Sequence, residues 1–330
     1  MSADGTYPAY VVEEKGEPAR LRRLTDADLP DGDVTVDVTH SSLNFKDGLA
    51  VTGKGPIART LPMVCGIDLA GRVSASESPR WKPGDEVVLT GWGLSETHPG
   101  GYTTRQRVRG EWLVARPEAL TAEQSMAVGT AGLTAMLCVL ALEESGMTPQ
   151  QGPVLVTGAS GGVGSVAVAV LAKLGYEVVA ATGRPESHGY LTALGASSFV
   201  DRAELSEPGR PLQKERWAHA VDTVGSTTLV SVLAQTAYRG SVAACGLVGG
   251  NDLPATVLPF ILRGVSLLGV DSVQCPTHVR TEAWARLGAD LPQGLLASLT
   301  TVRGFADIPQ LADDILAGRT RGRVVIDIHG

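Results

Sequence analysis

Hydrophobic and polar positions follow two rhythms along the chain. Up to about residue 120 the apolar residues come in short runs of period two. Val34, Val36 and Val38 alternate with Thr35, Asp37 and Thr39, as on a strand with one buried face. Lys82-Pro83-Gly84-Asp85 reads as a turn that leads straight into the strand-like Glu86–Thr90, and Thr103–Val108 and Trp112–Ala115 add further short strands. Short strands between Gly- and Pro-bearing turns predict a small barrel or sandwich. Near residue 121 the rhythm changes. Thr121-Ala122-Glu123-Gln124 has the spacing of a capping box that opens a helix, and a second helix is expected from about Gly132 to Glu144, stopping near Gly146. From Pro153 onward buried strands alternate with helices: strand Val154–Thr157, helix Ser165–Leu174, strand Val178–Ala181, then strands at Ala218–Asp222, Ser241–Cys245 and Val265–Val270. That alternation predicts a doubly wound α/β fold with a parallel sheet. The last 60 or so residues break it again, with a helix at Thr281–Ala289 and a strand at Arg323–Ile328.

Composition narrows the classes. The 330 residues carry 28 Lys+Arg against 35 Asp+Glu, a formal charge of −7, and 43% are apolar. This excludes a disordered chain, and the 40 glycines show no three-residue period, which excludes collagen. A mildly acidic chain without basic tracts is unsuited to nucleic acid or anionic membrane. The longest apolar run, Ala127–Leu142, is interrupted by Gly129, Thr130, Gly132 and Thr134 and is expected not to span a bilayer. Cys65, Cys138, Cys245 and Cys275 stand singly with no CxxC pair, which fits a reducing compartment rather than a disulfide framework. With an acidic N-terminus lacking an apolar core, the expectation is a cytoplasmic protein without a secretory signal.

The glycines carry the first chemistry. Thr157-Gly158-Ala159-Ser160-Gly161-Gly162-Val163-Gly164 follows an apolar strand and opens an Ala/Val helix, the setting a dinucleotide-binding turn requires. Gly161 lets the backbone approach a pyrophosphate, Gly164 lets helix and strand pack closely, and Ala159 stands at the first glycine position. The positive helix end and its open N–H groups would hold the phosphates. About 20 residues on, where an NAD site places Asp or Glu on the ribose, the chain reads Ala181-Thr182-Gly183-Arg184. An arginine fork suits a 2′-phosphate, which a carboxylate would repel, so the reading is NADPH. The competing reading gives the ribose to Glu186 and leaves Arg184 a solvated charge.

A catalytic zinc would need about three Cys, His or carboxylate ligands. Cys65 is followed by Gly66-Ile67-Asp68 with no nearby His, and none of the six histidines sits three or four residues from another His or Cys. No metal is expected, and Cys65 reads as a small buried apolar residue.

Taken together, these residues resemble the medium-chain dehydrogenase/reductase superfamily, in its zinc-free quinone-oxidoreductase-like branch and the acrylyl-CoA reductase group within it. The matching stretches run through most of the chain: Ser41–Gly48, Gly66–Gly71, Leu89-Thr-Gly-Trp-Gly93, Ala127–Gly132, Val156–Gly164, Cys245–Gly250, Leu258–Arg263 and Gly269-Val-Asp-Ser-Val273. The resemblance implies a GroES-like β-rich catalytic domain split between 1–122 and 271–330, with a Rossmann domain over 123–270. It implies cofactor contacts at Ser160, Gly161, Gly162, Val163, Thr182, Gly183, Arg184 and Arg202, and, near the nicotinamide and its ribose, Phe45, Leu247, Ile261 and Ser272. Phe45 stands where the group often has Tyr, and the Asn expected near Gly318-Arg319-Thr320 is missing. The implied reaction reduces acryloyl-CoA to propionyl-CoA with NADPH, hydride going to the β-carbon. An NADPH:quinone oxidoreductase and a non-catalytic NADPH-binding protein are the alternatives. Lys46, Asp47 and Asp68 are the polar candidates for catalysis, each with a salt bridge or turn cap as the competing role. The apolar strand Val265–Val270 is the expected edge for a homodimer.

Overall fold

The structure is a computed structural model that describes residues 5–207 and 209–330. The chain divides into two compact units: Met1–Thr130 with Ser272–Gly288 and Leu296–Gly330, and Ala131–Asp271 with Ala289–Leu295.

The first unit begins with β1 (Tyr7–Val12), β2 (Arg20–Leu24), β3 (Val34–Leu43), α1 (Phe45–Thr52), β4 (Met63–Val64), β5 (Asp68–Ser76), β6 (Glu86–Thr90), β7 (Arg105–Val108) and β8 (Val114–Ala115). β2, β1 and β4 form a small antiparallel sheet. The alternation at Val34, Val36 and Val38 is real, all three being buried, and each contributes ~1.5–3 kcal/mol of apolar burial. Thr35 is buried as well, because β3 is an interior strand with β5 and β7 as neighbours. The expected strand Trp112–Ala115 is only Val114–Ala115; Trp112 instead ends a short 3₁₀ turn from Gly110.

α2 (Ala122–Glu144) starts on the expected capping box: Gln124 N–H donates to Thr121 Oγ1 at 3.1 Å, and Thr121 N–H to Gln124 Oε1 at 2.9 Å. Its axis breaks at Gly129, whose φ of 51° and ψ of −160° leave the helix. By length and apolarity α2 could cross a membrane, but 83% of its most apolar stretch is buried within the fold.

The second unit continues with β9 (Val154–Val156), α3 (Gly162–Lys173), β10 (Val178–Thr182), α4 (His188–Ala193), β11 (Ser198–Asp201), α5 (Ala203–Ser206), β12 (Trp217–Asp222), α6 (Ser226–Gln235), β13 (Thr236–Ala244), α7 (Leu258–Arg263) and β14 (Ser266–Gly269). All six strands are parallel, in the order β11-β10-β9-β12-β13-β14. Numbered within the unit that is 3-2-1-4-5-6, the doubly wound order, and it reverses direction between β9 and β12. The core reads from strand to helix: Leu155 and Ala220 beneath Val232 and Leu233.

The chain ends with α8 (Thr277–Asp290), α9 (Gln293–Leu299), β15 (Thr300–Gly304), α10 (Ile308–Leu316) and β16 (Arg323–Asp327). β16 joins β3 antiparallel and β15 parallel, completing the sheet β15-β16-β3-β5-β6-β8. Of these late elements the pattern gave only α8 and β16. β15 escapes it because none of its residues is fully buried, a covering strand rather than a core strand.

Candidate functional site

The crevice of an open parallel sheet lies outside the carboxyl ends of its strands, at the switch point. Here that point is built by Thr157 after β9 and Asp222 at the end of β12. Thr157 Oγ1 donates to Asp222 Oδ1 at 2.7 Å and accepts Thr223 N–H at 3.0 Å, while Asp222 Oδ2 takes Gly225 N–H at 2.7 Å. Burial pushes the Asp222 carboxyl up, partly offset by these donors. The sequence reading missed Asp222. Its signal was an acid closing an otherwise apolar strand, where a side chain is needed to fix the next turn.

The glycine turn crosses this point. α3 begins at Gly162, three residues before the expected Ser165, and Gly161 is an N-cap with no side chain bonding the helix. The first bond closing the helix is Ser165 N–H to Gly161 O at 2.9 Å. The N–H groups of Gly162, Val163 and Gly164 therefore belong to the open end that an α-helix presents, with its positive partial charge. A Cβ at Gly164 would come 2.4 Å from Gly158 O, so helix and turn are in backbone contact. A Cβ at Gly161 would meet only Gly158 O at 3.2 Å, so that face stays open. Ser160 is half-buried beside it.

β10 delivers the second patch. Thr182 is buried at its end, its Oγ1 accepting Arg184 N–H at 3.2 Å and its carbonyl accepting Arg202 N–H at 3.2 Å. Arg202 lies across Gly183, where a Cβ would fall 2.5 Å from Nε and 2.7 Å from Cδ. Two arginines thus flank a glycine at the tip of β10. Asp201 does not oppose them at the ribose position, because its Oδ1 caps α5 through Ala203 N–H at 2.9 Å. Glu186 is exposed in the 3₁₀ turn Pro185–Ser187. An open helix end and a two-arginine tip fit a dinucleotide carrying a 2′-phosphate.

Beyond β13 and β14 a cavity of about 500 Å³ is lined by Ala244, Cys245, Gly246, Leu247, Gly269, Val270 and Asp271. Leu247 and Ile261 are 69% and 68% exposed, so neither side chain packs into the core of the second unit.

The predicted residues of the first unit lie in two groups. Phe45 opens α1 and is 46% exposed. Next to it the Lys46 ammonium is paired with Glu96. Asp47 is fully buried: Oδ2 caps α1 from Asn44 N–H at 2.8 Å and Oδ1 takes Ile67 N–H at 2.9 Å. Burial, then the negative charge of Asp68, pushes its carboxyl up to about 7. Asp68 is also fully buried and gathers Ser42 Oγ at 2.5 Å, Asn44 Nδ2 at 3.1 Å, Thr130 N at 2.9 Å and Thr130 Oγ1 at 2.5 Å. Thr130 follows the kink residue Gly129, so Asp68 holds the break in α2. Arg323 of β16 joins from the far end of the chain, donating to Ala127 O at 2.7 Å and Asn44 Oδ1 at 3.3 Å.

The second group surrounds Ser272. Arg280 is fully buried on α8 and donates to Thr90 O at 2.7 Å, Ser272 O at 3.0 Å and Val273 O at 3.3 Å. Its guanidinium lies 5.2 Å from the Trp92 ring, and Trp92 N–H reaches Val273 O at 2.9 Å. This one cation ties Thr90 and Trp92 to the backbone of Ser272 and Val273. Sequence reading named the stretches that hold these residues and missed the arginine between them.

Among the described residues no group of three or more His, Cys, Asp or Glu is placed to hold a metal. Cys65 is buried beside Asp47, and burial pushes its thiol up to about 12, whereas a metal ligand must be a thiolate. The residues do not fit a catalytic zinc.

Comparison with known proteins follows the same division. Residues 162–288 match the family described as zinc-binding dehydrogenase, and residues 30–128 match the alcohol dehydrogenase GroES-like domain. The acrylyl-CoA reductase AcuI of Ruegeria pomeroyi is 54% identical over 328 residues, covering 98% of this chain and 99% of that one. The YhdH oxidoreductase of Salmonella enterica, solved in complex with NADP, has a TM-score of 0.95 at 54% identity, covering 97% and 99%. Bacillus subtilis YhfP, solved with NAD bound, has a TM-score of 0.94 at 43% identity, covering 98% and 99%. The fold is a GroES-like unit with a Rossmann unit, the architecture of a nicotinamide-dependent oxidoreductase. The chain belongs to the medium-chain dehydrogenase/reductase superfamily, in its quinone-oxidoreductase-like branch alongside the acrylyl-CoA reductases.

Proposed function

We propose that this protein reduces the carbon–carbon double bond of a short 2-enoyl-CoA with NADPH, taking acryloyl-CoA to propionyl-CoA. The observation that carries the reading is the near full-length 54% identity to the Ruegeria pomeroyi acrylyl-CoA reductase. The arginine-flanked tip of β10 supports it from the cofactor side.

In this reading Ser160, Gly161, Gly162 and Val163 hold the pyrophosphate at the head of α3, and Thr182, Gly183, Arg184 and Arg202 hold the 2′-phosphate. Leu247, Ile261, Ser272 and Phe45 shape the nicotinamide end, with Arg280 fixing the Ser272 backbone. When bound, the cofactor supplies a hydride to the β-carbon of the enoyl thioester. Charge then develops on the thioester oxygen, and donors aimed there lower the barrier. Asp47 and Asp68 serve as positioning residues, since their oxygens are already occupied by buried donors. The α-carbon takes its proton from water. Residues 1–122 and 271–330 handle the substrate and 123–270 the nucleotide. The protein works in the cytoplasm as a homodimer that pairs through β14, the open edge of the six-stranded sheet.

Steady-state NADPH oxidation with acryloyl-CoA beside a quinone tests the reading. Turnover of acryloyl-CoA supports it, turnover of the quinone alone refutes it, and turnover of neither leaves a nucleotide-binding protein. Sedimentation velocity of the pure protein tests the dimer.

A further inference from the structure

Within the second unit the turn 222–226, which joins β12 to α6, touches both the glycine turn and the turn that lines the cavity. Its backbone is tightly set. Gly225 N–H donates to Asp222 Oδ2 at 2.7 Å, and Ser226, though not a glycine, has a φ of 48°. Towards the cavity its contacts are backbone to backbone. Cys245 N–H donates to Asp222 O at 3.0 Å, and Gly249 N–H donates to Val224 O at 2.8 Å. A Cβ at Gly246 would lie 2.0 Å from Thr223 O, so the turns 222–226 and 245–250 are packed main chain on main chain. Towards the glycine turn the contacts run through hydroxyls. Thr223 Oγ1 donates to Thr157 O at 2.9 Å, and Thr157 Oγ1 accepts Thr223 N–H at 3.0 Å. The same Thr223 oxygen occupies the space beside Gly158, where a Cβ would come within 2.3 Å of it. Thr223 therefore stands between the turn that leads into α3 and the turn that lines the cavity.

We propose that Thr223 is a positioning residue for NADPH: its hydroxyl fixes the glycine turn against the cavity turn 245–250, so that one nucleotide reaches both in register. The proposal rests on the cofactor reading above, in which the head of α3 holds the pyrophosphate and Leu247 shapes the nicotinamide end. Between 222–226 and 245–250 the partners are main-chain atoms, which move only when the chain moves. On the other side a side-chain hydroxyl reaches the Thr157 carbonyl. That carbonyl belongs to the peptide entering Gly158, whose φ of 57° begins the glycine turn. Holding it sets the direction in which the chain leaves β9, and with it the aim of the open N–H groups at the head of α3. A β-branched threonine suits the task, because its stiff χ1 keeps the hydroxyl on target. Asp222 supports the arrangement from behind, taking Thr157 Oγ1 at 2.7 Å and Gly225 N–H at 2.7 Å. An adenosine 2′-phosphate without a pyrophosphate reaches only the arginine tip of β10, and so does not sense the spacing of the two turns.

Thr223→Val removes the donor and keeps the branched shape. NADPH affinity of the full-length protein, read by nucleotide fluorescence, should fall about tenfold, the upper end of what one hydrogen bond carries. Affinity for adenosine 2′-monophosphate, read by calorimetry, should stay within about twofold of wild type. Thr223→Ser keeps the hydroxyl and should hold NADPH within about threefold of wild type, with folding of both variants checked by circular dichroism. A Thr223→Val protein that binds NADPH as tightly as wild type overturns the proposal. So does one that loses both nucleotides equally, which is the mark of a general loosening of the fold. A folded Thr223→Ser protein as weak as Thr223→Val removes the hydroxyl as the cause. Wild-type protein that fails to bind NADPH sinks the cofactor reading and the proposal with it, so the wild-type measurement tells the two failures apart.

Discussion

At the ends of β9 and β10 the groups turned outward are backbone N–H groups, a glycine and two arginine side chains, all drawn from two short stretches of sequence. Around Asp68 the opposite holds. Ser42, Asn44, Asp47, Asp68, Thr130 and Arg323 come from five elements or their flanks and bond inward, to one another and to the backbone of Ile67 and Ala127. The first arrangement is open, a helix end whose first N–H groups have no intrahelical partner, with two arginines at the tip of the next strand. The second is closed, and any donor it loses stays unsatisfied in the core. Substitutions should therefore cost binding in one region and folding in the other.

The sharpest way to break that contrast is Asp68→Ala. It takes the shared acceptor away from the Ser42 and Thr130 hydroxyls and the Thr130 N–H, while the Asn44 amide keeps Asp47 Oδ2, and the loss expected is on the order of 3–5 kcal/mol. Urea denaturation followed by tryptophan fluorescence reads it, and a loss below about 1 kcal/mol would show that water or rearrangement rescues the network. NADPH affinity of the surviving folded fraction should be unchanged, because the damage lies in the first unit.

Arg184→Ala tests the other side. Losing one charge-assisted contact should raise the Michaelis constant for NADPH about 10- to 100-fold, leave that for NADH nearly unmoved, and spare the denaturation midpoint. Equal effects on the two cofactors would remove the phosphate role and return Arg184 to a surface charge.

These two variants also divide what the sequence made legible. The glycine turn, the missing acid and Arg184 all sit within about 30 residues, so spacing alone exposes them. Arg202 lies only one strand further on and came through family resemblance. Arg323, Arg280 and Asp222 did not come through at all. Arg323 is distant from Ala127 and Asn44 in the chain, and only the closure of β16 on β3 brings them together. Arg280 looks like one more helical cation until α8 buries it against Thr90 and Ser272. Period-two alternation found β3, buried mainly on one face, and continuous apolar runs found the parallel strands, buried on both. Both missed β15, where a sheet-edge strand buries little.

Gly183→Ala gives a milder test of the open region. The new methyl would sit 2.5 Å from Arg202 Nε, but a flexible side chain can move aside where a backbone cannot. The NADPH Michaelis constant should rise only about threefold, roughly 0.6 kcal/mol, with NADH again unaffected. Gly164→Ala is the matched control, because there the methyl meets Gly158 O, a backbone atom, at 2.4 Å. Its damage should appear in stability as well as in cofactor binding, and a purely kinetic effect would contradict the close helix–turn contact.

The smallest expected effect is one of sign with pH. His219 lies in the second unit, buried, with Nδ1 accepting Ser241 N–H at 3.2 Å and Nε2 at 3.0 Å from Gln151 Oε1, and burial lowers its pKa. Its folded pKa lies below the unfolded value of about 6.5, so its contribution is present above that pH and is lost as pH falls through it. Asp47 runs the other way. Its folded pKa of about 7 stands above the ordinary 3.8, so its contribution is full below 3.8 and is lost as pH rises towards 7. His40 and His98 share the first unit with Asp47 but are lowered by burial and so follow His219. Asp47→Asn isolates the acid. Hydrogen exchange corrected for intrinsic rates should show wild-type β3 and β5 gaining more protection than the variant as pH drops from 7 to 5, while β9 and β12, where lowered His219 and raised Asp222 act in opposite directions, change alike in both. If the two proteins show the same pH dependence in β3 and β5, Asp47 is ionised in the folded core across that range, and burial does not hold its proton on.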